Sequence, residues 1–220
     1  MPAFHPRFEA LPSEIAVFPL PGALLLPGGK LPLNIFEPRY LAMVEDSLAN
    51  GRMFGMIQPD TAALGRDTGP CLYRVGCLGR LSSFSETEDG RFLITLSGLI
   101  RFRCGEELAM RQGYRRVRPD YAGFGVDLAQ CGRPSAVDRP ALIGALRPYF
   151  RTRGIEANWD AMEQTADALL VTTLAMVCPF EVAEKQALLE APDCASRADM
   201  LIALLRMASA GGAASEGRPS

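Results

Sequence analysis

The chain has 220 residues, 48% of them hydrophobic and 22% charged, with a formal net charge of −2 and a pI near 5.6. That length allows one large domain or two small ones with a substantial core, and the composition is that of an ordinary globular chain. A slightly acidic balance excludes generic attraction to nucleic-acid phosphates or to anionic membrane surfaces.

Residues 1–10 open with Met1-Pro-Ala-Phe-His-Pro6, short and broken by proline, and read as a flexible N-terminus with no secretory signal. Residues 11–125 are strand-rich, with short β candidates at 14–20, 23–26 and 30–36. Between the last two, Gly28-Gly29-Lys30 resembles the end of a phosphate-binding loop. The opening glycine of such a loop would fall at Leu24, its Mg²⁺-binding hydroxyl at Leu31, and Pro32 blocks the helix that should follow. The segment is therefore a turn between apolar strands. The Leu-rich run 15–33 carries Pro19, Pro21, Pro27 and Pro32 and cannot form a membrane-spanning helix.

Tyr40, Leu41, Val44 and Leu48 recur at helical spacing over 38–49, with Asn50-Gly51 as a stop. Residues 53–57 return to strand. Segments 72–84 and 91–102 flank the Asp89-Gly90 pair, a strong hairpin signal, and Gly98 predicts a bulge or bend in the second of them. Short strands with one small helix and frequent turns fit a closed or nearly closed barrel.

A linker over 126–137 leads to a helical region at 138–208. Asp138 and Asn158 are expected N-caps, the second for one helix whose stripe runs from Trp159 to Val177. Pro179 sits where the first turn of a helix over 180–191 begins, and Asp193 or Ser196 starts the last helix. The apolar run 168–177 is too short to span a membrane. Residues 209–220, small and polar, read as a disordered tail. The fold class is α+β.

The six cysteines show no C-x-x-C spacing and the single histidine is His5, so reduced structural thiols are expected and no metal or cofactor. Glu37, Arg39 and Tyr40 read as a helix start, since nothing nearby completes a nucleophile–base set. The Glu86, Glu88, Asp89 cluster is a solvated hairpin tip without Ca²⁺-loop spacing.

Four segments carry a family resemblance. Phe18-Pro-Leu-Pro-Gly-Ala-Leu-Leu-Leu-Pro27 with Leu31-Pro-Leu-Asn-Ile-Phe-Glu-Pro-Arg-Tyr40, then Gly76-Cys-Leu-Gly-Arg80, then the run from Asp89 to Arg103, and finally Glu184-Lys-Gln-Ala-Leu-Leu-Glu190 with Arg197, occur in the order found in Lon N-terminal (LON substrate-binding) domains. The chain resembles the stand-alone bacterial members from about residue 11 to 208. The resemblance implies a PUA-like β pseudo-barrel (11–125) followed by a C-terminal α-helical bundle (138–208). It also implies recognition of unfolded polypeptide or of a partner protein, without the ATPase and Ser–Lys peptidase of full-length Lon.

The expected function is thus non-enzymatic recognition of exposed polypeptide segments in the cytoplasm, as an adaptor or chaperone-like factor in protein quality control. Phe36, Tyr40, Phe84, Leu99 and Phe102 are the candidate lining of an apolar groove. The alternative is an RNA-binding PUA-like module that uses Arg101, Arg103, Arg111, Arg115, Arg116 and Arg118. Against Glu106 and Glu107, these six give that segment a local charge of +4, with Phe102, Tyr114 and Tyr121 nearby.

Overall fold

A computed structural model describes residues 6–60, 63, 69–129 and 136–215. The strands are β1 (Ile15–Pro19), β2 (Lys30–Ile35), β3 (Met53–Ile57), β4 (Pro59–Asp60), β5 (Cys71–Leu72), β6 (Val75–Glu86), β7 (Phe92–Arg111) and β8 (Tyr114–Asp120). The helices are α1 (Pro38–Ala49), α2 (Val126–Ala129), α3 (Arg139–Arg153), α4 (Trp159–Gln164), α5 (Asp167–Val177), α6 (Val182–Glu190) and α7 (Cys194–Ser215). The chain divides into two compact units, Met1–Gly132 with Pro179–Leu189, and Arg133–Cys178 with Glu190–Ser220.

In the β unit the strand order is β2-β7-β6-β3-β1-β8, and β7 also pairs with β8. That extra pairing closes a five-stranded ring, in which only β1 and β3 run parallel. Closure depends on the 20 residues of β7. Its first part pairs with β2 and β6, its last part with β8. The bend expected at Gly98 is a bulge: the register slips between Leu78 and Gly79, opposite it. Gly98 is also where the 23–28 segment presses onto the sheet, and a β-carbon there would lie 2.0 Å from the Leu26 carbonyl oxygen. Residues 23–26, expected as a strand, are instead an irregular plug. Leu24, Leu25 and Leu26 are fully buried, and turns from Leu20 to Ala23 and Leu26 to Gly29 take up the flanking backbone groups.

Helix α6 belongs to this unit and not to the helical region in which it was expected. Its Lys185 Nζ donates to the Gly22 carbonyl at 2.6 Å, and its Gln186 Nε2 to the Val75 carbonyl at 3.0 Å. Gln58 Nε2 donates to Gln186 Oε1 and to the Val182 carbonyl, while Gln58 Oε1 accepts from the Gly22 amide. The Lys-Gln pair of the family motif is therefore a docking device.

The linker expected over 126–137 contains helix α2, and residues 130–135 lie outside the described residues. Asp127 of α2 forms a two-pronged ion pair with Arg101 of β7, Nε to Oδ2 at 2.9 Å and Nη2 to Oδ1 at 2.8 Å, with both side chains at 3% exposure or less. Asp127 Oδ2 also accepts the Arg101 amide, and Arg101 Nη1 donates to the Leu189 carbonyl near the end of α6. One buried guanidinium thereby ties β7, α2 and α6 together.

In the helical unit, Asp138 and Asn158 accept from the amides of Ala141 and Ala161 as N-caps. Asp193 does the same for Ser196 at the start of α7. The single helix expected after Asn158 is broken, because Thr165 and Ala166 are extended. Arg139 holds the break open: its guanidinium donates to the Met162, Glu163 and Thr165 carbonyls and pairs with Asp167. The tail expected from 209 is helical through Ser215 as the continuation of α7, and 216–220 lie outside the described residues. Of the N-terminus expected to be flexible, Phe8–Ala10 forms a 3₁₀ turn and residues 1–5 lie outside the description.

Replacing Gly98 by alanine should destabilise the β unit by roughly 3 kcal/mol, since the added methyl meets backbone with no room to yield. Asp127→Ala should cost about 3–5 kcal/mol by stranding Arg101, whereas Arg101→Met with Asp127→Leu should recover most of that loss. Urea unfolding of the four proteins checks both statements.

Candidate polypeptide-binding surface

Beyond the ring, β2, the start of β7 and the end of β6 continue as a three-stranded sheet. Cross-strand partners share a face, so the register places Leu31, Leu33 and Ile35 with Leu96, Ile94 and Phe92, and these with Leu81, Phe84 and Glu86. Leu81 and Phe84 are three apart and would fall on opposite faces of a regular strand. A register shift between Leu81 and Ser83 returns Phe84 to the apolar side. Its ring lies edge-on to Phe92, centroids 5.0 Å apart. Phe84 remains 41% exposed, Leu31 and Leu33 are half-buried, and Phe36 just past β2 is 64% exposed. Leu93 is exposed on the opposite face.

Hydrogen bonds close the connecting turn. Thr87 Oγ1 contacts Asp89 and accepts the Arg91 amide, and Gly90 takes the left-handed conformation at φ 76°. Hydrogen bonds from Arg91 and then Thr87 lower the Asp89 carboxyl to about 2. Asp89 is thus committed to Arg91, while Glu86 and Glu88 have no ion-pair partner among the described residues.

Of the five candidate apolar residues, only Phe36 and Phe84 reach the surface. Tyr40 is 5% exposed and packs on Phe18, and Leu99 is buried. Phe102 is fully buried, its ring filling space that exists because positions 55 and 76 are glycine: a β-carbon at either would come within 2.8 Å of it. Phe102 is core because its ring fills the inside of a small barrel, Tyr40 because α1 packs it onto Phe18 of β1, and Leu99 is buried beside the Gly98 bulge.

The six arginines do not form an open cationic face. Arg101 is buried on Asp127, and Arg115 is buried with Glu107 and the Pro70 carbonyl. Arg103 faces Asp120, Arg111 faces Asp46, Arg116 faces Glu14, and Arg118 faces Glu106. Four of the six carboxylates, Glu14, Asp46, Asp120 and Asp127, lie outside 101–118, so a count over that segment overstates the positive field. Asp46 also accepts from the Tyr114 hydroxyl at 2.6 Å; burial and then this bond push that phenol up to about 12. The cavity beside it, about 210 Å³, is lined by groups already paired in this way.

Among the described residues no three His, Cys, Asp or Glu side chains converge as a metal site, and no helix is long and apolar enough to cross a membrane. Lys30 starts β2, and Lys185 is buried against Gly22.

The family described as the ATP-dependent protease La (LON) substrate-binding domain matches residues 14–207, and the chain belongs to it. Lon protease 2 of Sorangium cellulosum is 27% identical over 215 residues, which cover 93% of this chain and 26% of that protein. Lon protease 2 of Myxococcus xanthus is 23% identical, covering 90% and 24%. The chain thus spans about a quarter of the length of these relatives. Among solved structures, the Lon N-terminal domain protein from Xanthomonas campestris superimposes with a TM-score of 0.58 at 23% identity, over 86% of this chain and 97% of that one. The N-terminal domain of the Mycobacterium avium complex Lon protease gives 0.58 at 15% identity, over 87% and 97%. These likenesses establish the α+β Lon N-terminal fold.

Truncating the core and surface candidates should separate them cleanly. Phe102→Ala should cost about 3–5 kcal/mol, and Phe84→Ala no more than roughly 1 kcal/mol given its exposure. Denaturant midpoints of the two variants check the sorting.

Proposed function

We propose that the chain recognises exposed, unfolded segments of other polypeptides through the sheet extension bearing Phe84 and Phe36, acting without catalysis of its own as an adaptor or chaperone-like factor in cytoplasmic protein quality control. The observation that carries this reading is the apolar face itself, half-buried Leu31 and Leu33 beside exposed Phe84, with Phe36 exposed just past the end of β2. Membership of a substrate-binding family supports it. An apolar, loosely selective surface suits a partner whose side chains vary, since contact area contributes regardless of sequence.

The purified protein should bind a labelled, permanently unfolded polypeptide with affinity that changes only a few-fold when salt is raised. Single-stranded RNA binding, if it dominated, would instead collapse steeply with salt. Phe36→Ala combined with Phe84→Ala should weaken polypeptide binding by about tenfold or more at unchanged stability. Unchanged affinity in that double variant would remove this face from the reading.

A further inference from the structure

The sheet extension has two lateral edges, and their backbone chemistry differs. Gly98 donates to the Gly29 carbonyl at 2.9 Å, which fixes the alternation along β2 and β7. Residues 31, 33 and 35 then turn their amides toward β7, and residues 30, 32 and 34 turn theirs outward. The middle outward position is Pro32, which has no N–H. The β2 edge is therefore blunted in the way edge strands are protected against pairing.

The β6 edge lacks that protection. Thr87 donates to the Arg91 carbonyl at 2.9 Å, and the same alternation places Ser85 and Ser83 inward. The amides and carbonyls of Phe84 and Glu86 consequently face out. β3 pairs with β6 only from Cys77 to Arg80, so no strand among the described residues covers residues 82–86. All five are exposed, and none is proline.

We propose that the β6 edge at Ser82–Glu86 takes a bound segment as an added β-strand, with an apolar residue against Phe84 and a basic residue two positions away against Glu86. This rests on the polypeptide-recognition reading and names the kind of segment selected. Backbone pairing at Phe84 and Glu86 gives affinity that is blind to sequence. Phe84 and Glu86 lie on the same face, so the neighbouring strand presents alternate side chains to them. Glu86 and Glu88 are the carboxylates of this tip without an ion-pair partner among the described residues, and charge complementarity therefore selects Lys or Arg in the ligand.

The test uses two fluorescent, unstructured peptides that alternate Leu with spaced Lys or, in the second, with Glu at the same positions. Anisotropy titrations of the full chain should show the Lys peptide binding about five- to tenfold tighter, the scale of one or two exposed ion pairs. Glu86→Lys should reverse that preference. Glu86→Pro, which removes an edge amide the fold does not use, should abolish binding of both peptides, whereas Glu86→Ala should only erase the preference. Equal binding of both peptides, unaffected by Glu86→Pro, would overturn strand addition while leaving polypeptide recognition intact. Failure of the unaltered protein to bind either peptide would overturn both readings. An unchanged preference in Glu86→Lys, a variant at an exposed position, overturns the charge assignment independently of how the proline variant folds.

Discussion

The buried pair of Arg101 and Asp127 is the interaction on which the β unit depends. Arg101 lies on the long strand that closes the ring, Asp127 on the short helix that follows the barrel, and the same guanidinium reaches the Leu189 carbonyl near the end of α6. Taking both charges out of water is expensive, and the cost is offset only because the geometry is two-pronged and each remaining donor or acceptor is used. An apolar pair could fill the volume and restore most of the stability, but it would lack the directional bonds from one guanidinium to α2 and α6. Phe124 lies 5.0 Å from the same guanidinium, adding a ring face to a site that water does not reach.

With β7 held there, the rest of the barrel becomes a problem of close approach. A strand of this length must serve two sets of neighbours, and it parts from β2 at Gly98, where the leucine plug lies too close for any side chain, before meeting β8 from Arg103 on. The same economy operates inside, where the Phe102 ring occupies the space left by Gly55 and Gly76. Bulk is concentrated in one aromatic and removed from the strands opposite it. This explains why Phe102, which from sequence alone is as plausible a contact residue as Phe84, is core. The distinction depends on partners more than twenty residues away in the chain.

Local signals were legible where they act locally. The caps at Asp138 and Asn158, the Asp89-Gly90 turn, the helix over 38–49 and the bend at Gly98 all follow from a few adjacent residues. Features built from distant residues were not. Nothing in the run of leucines at 24–26 distinguishes a strand from a plug. The pairing of Arg101, Arg103, Arg111 and Arg116 with Asp127, Asp120, Asp46 and Glu14 is invisible to a count over 101–118. The break at Thr165 depends on a guanidinium from Arg139, and α6 joins the β unit through Lys185 and Gln186, whose partners Gly22, Gln58 and Val75 lie over a hundred residues earlier. The exposed apolar residues were partly legible: Phe84 and Phe36 could be named, but the open edge beside Phe84 appears only once β3 is seen to stop at Arg80.

That edge also bears on how such a surface avoids misuse. A strand edge with free amides invites pairing with any unfolded chain, including another copy of this one. Here the two edges of one sheet are treated differently: β2 is interrupted by Pro32, while the β6 edge carries serines around a single phenylalanine, with Glu86 and, in the turn, Glu88 lacking ion-pair partners among the described residues. The chain carries a formal charge of −2, so a second copy brings net repulsion to an acidic edge, and a basic segment does not. An edge that is open in backbone but acidic in side chains would be selective in a specific sense: under the strand-addition proposal it would admit extended segments by hydrogen bonding and sort them by charge. Sequence tolerance and discrimination against self-association would then arise from separate atoms of the same hairpin.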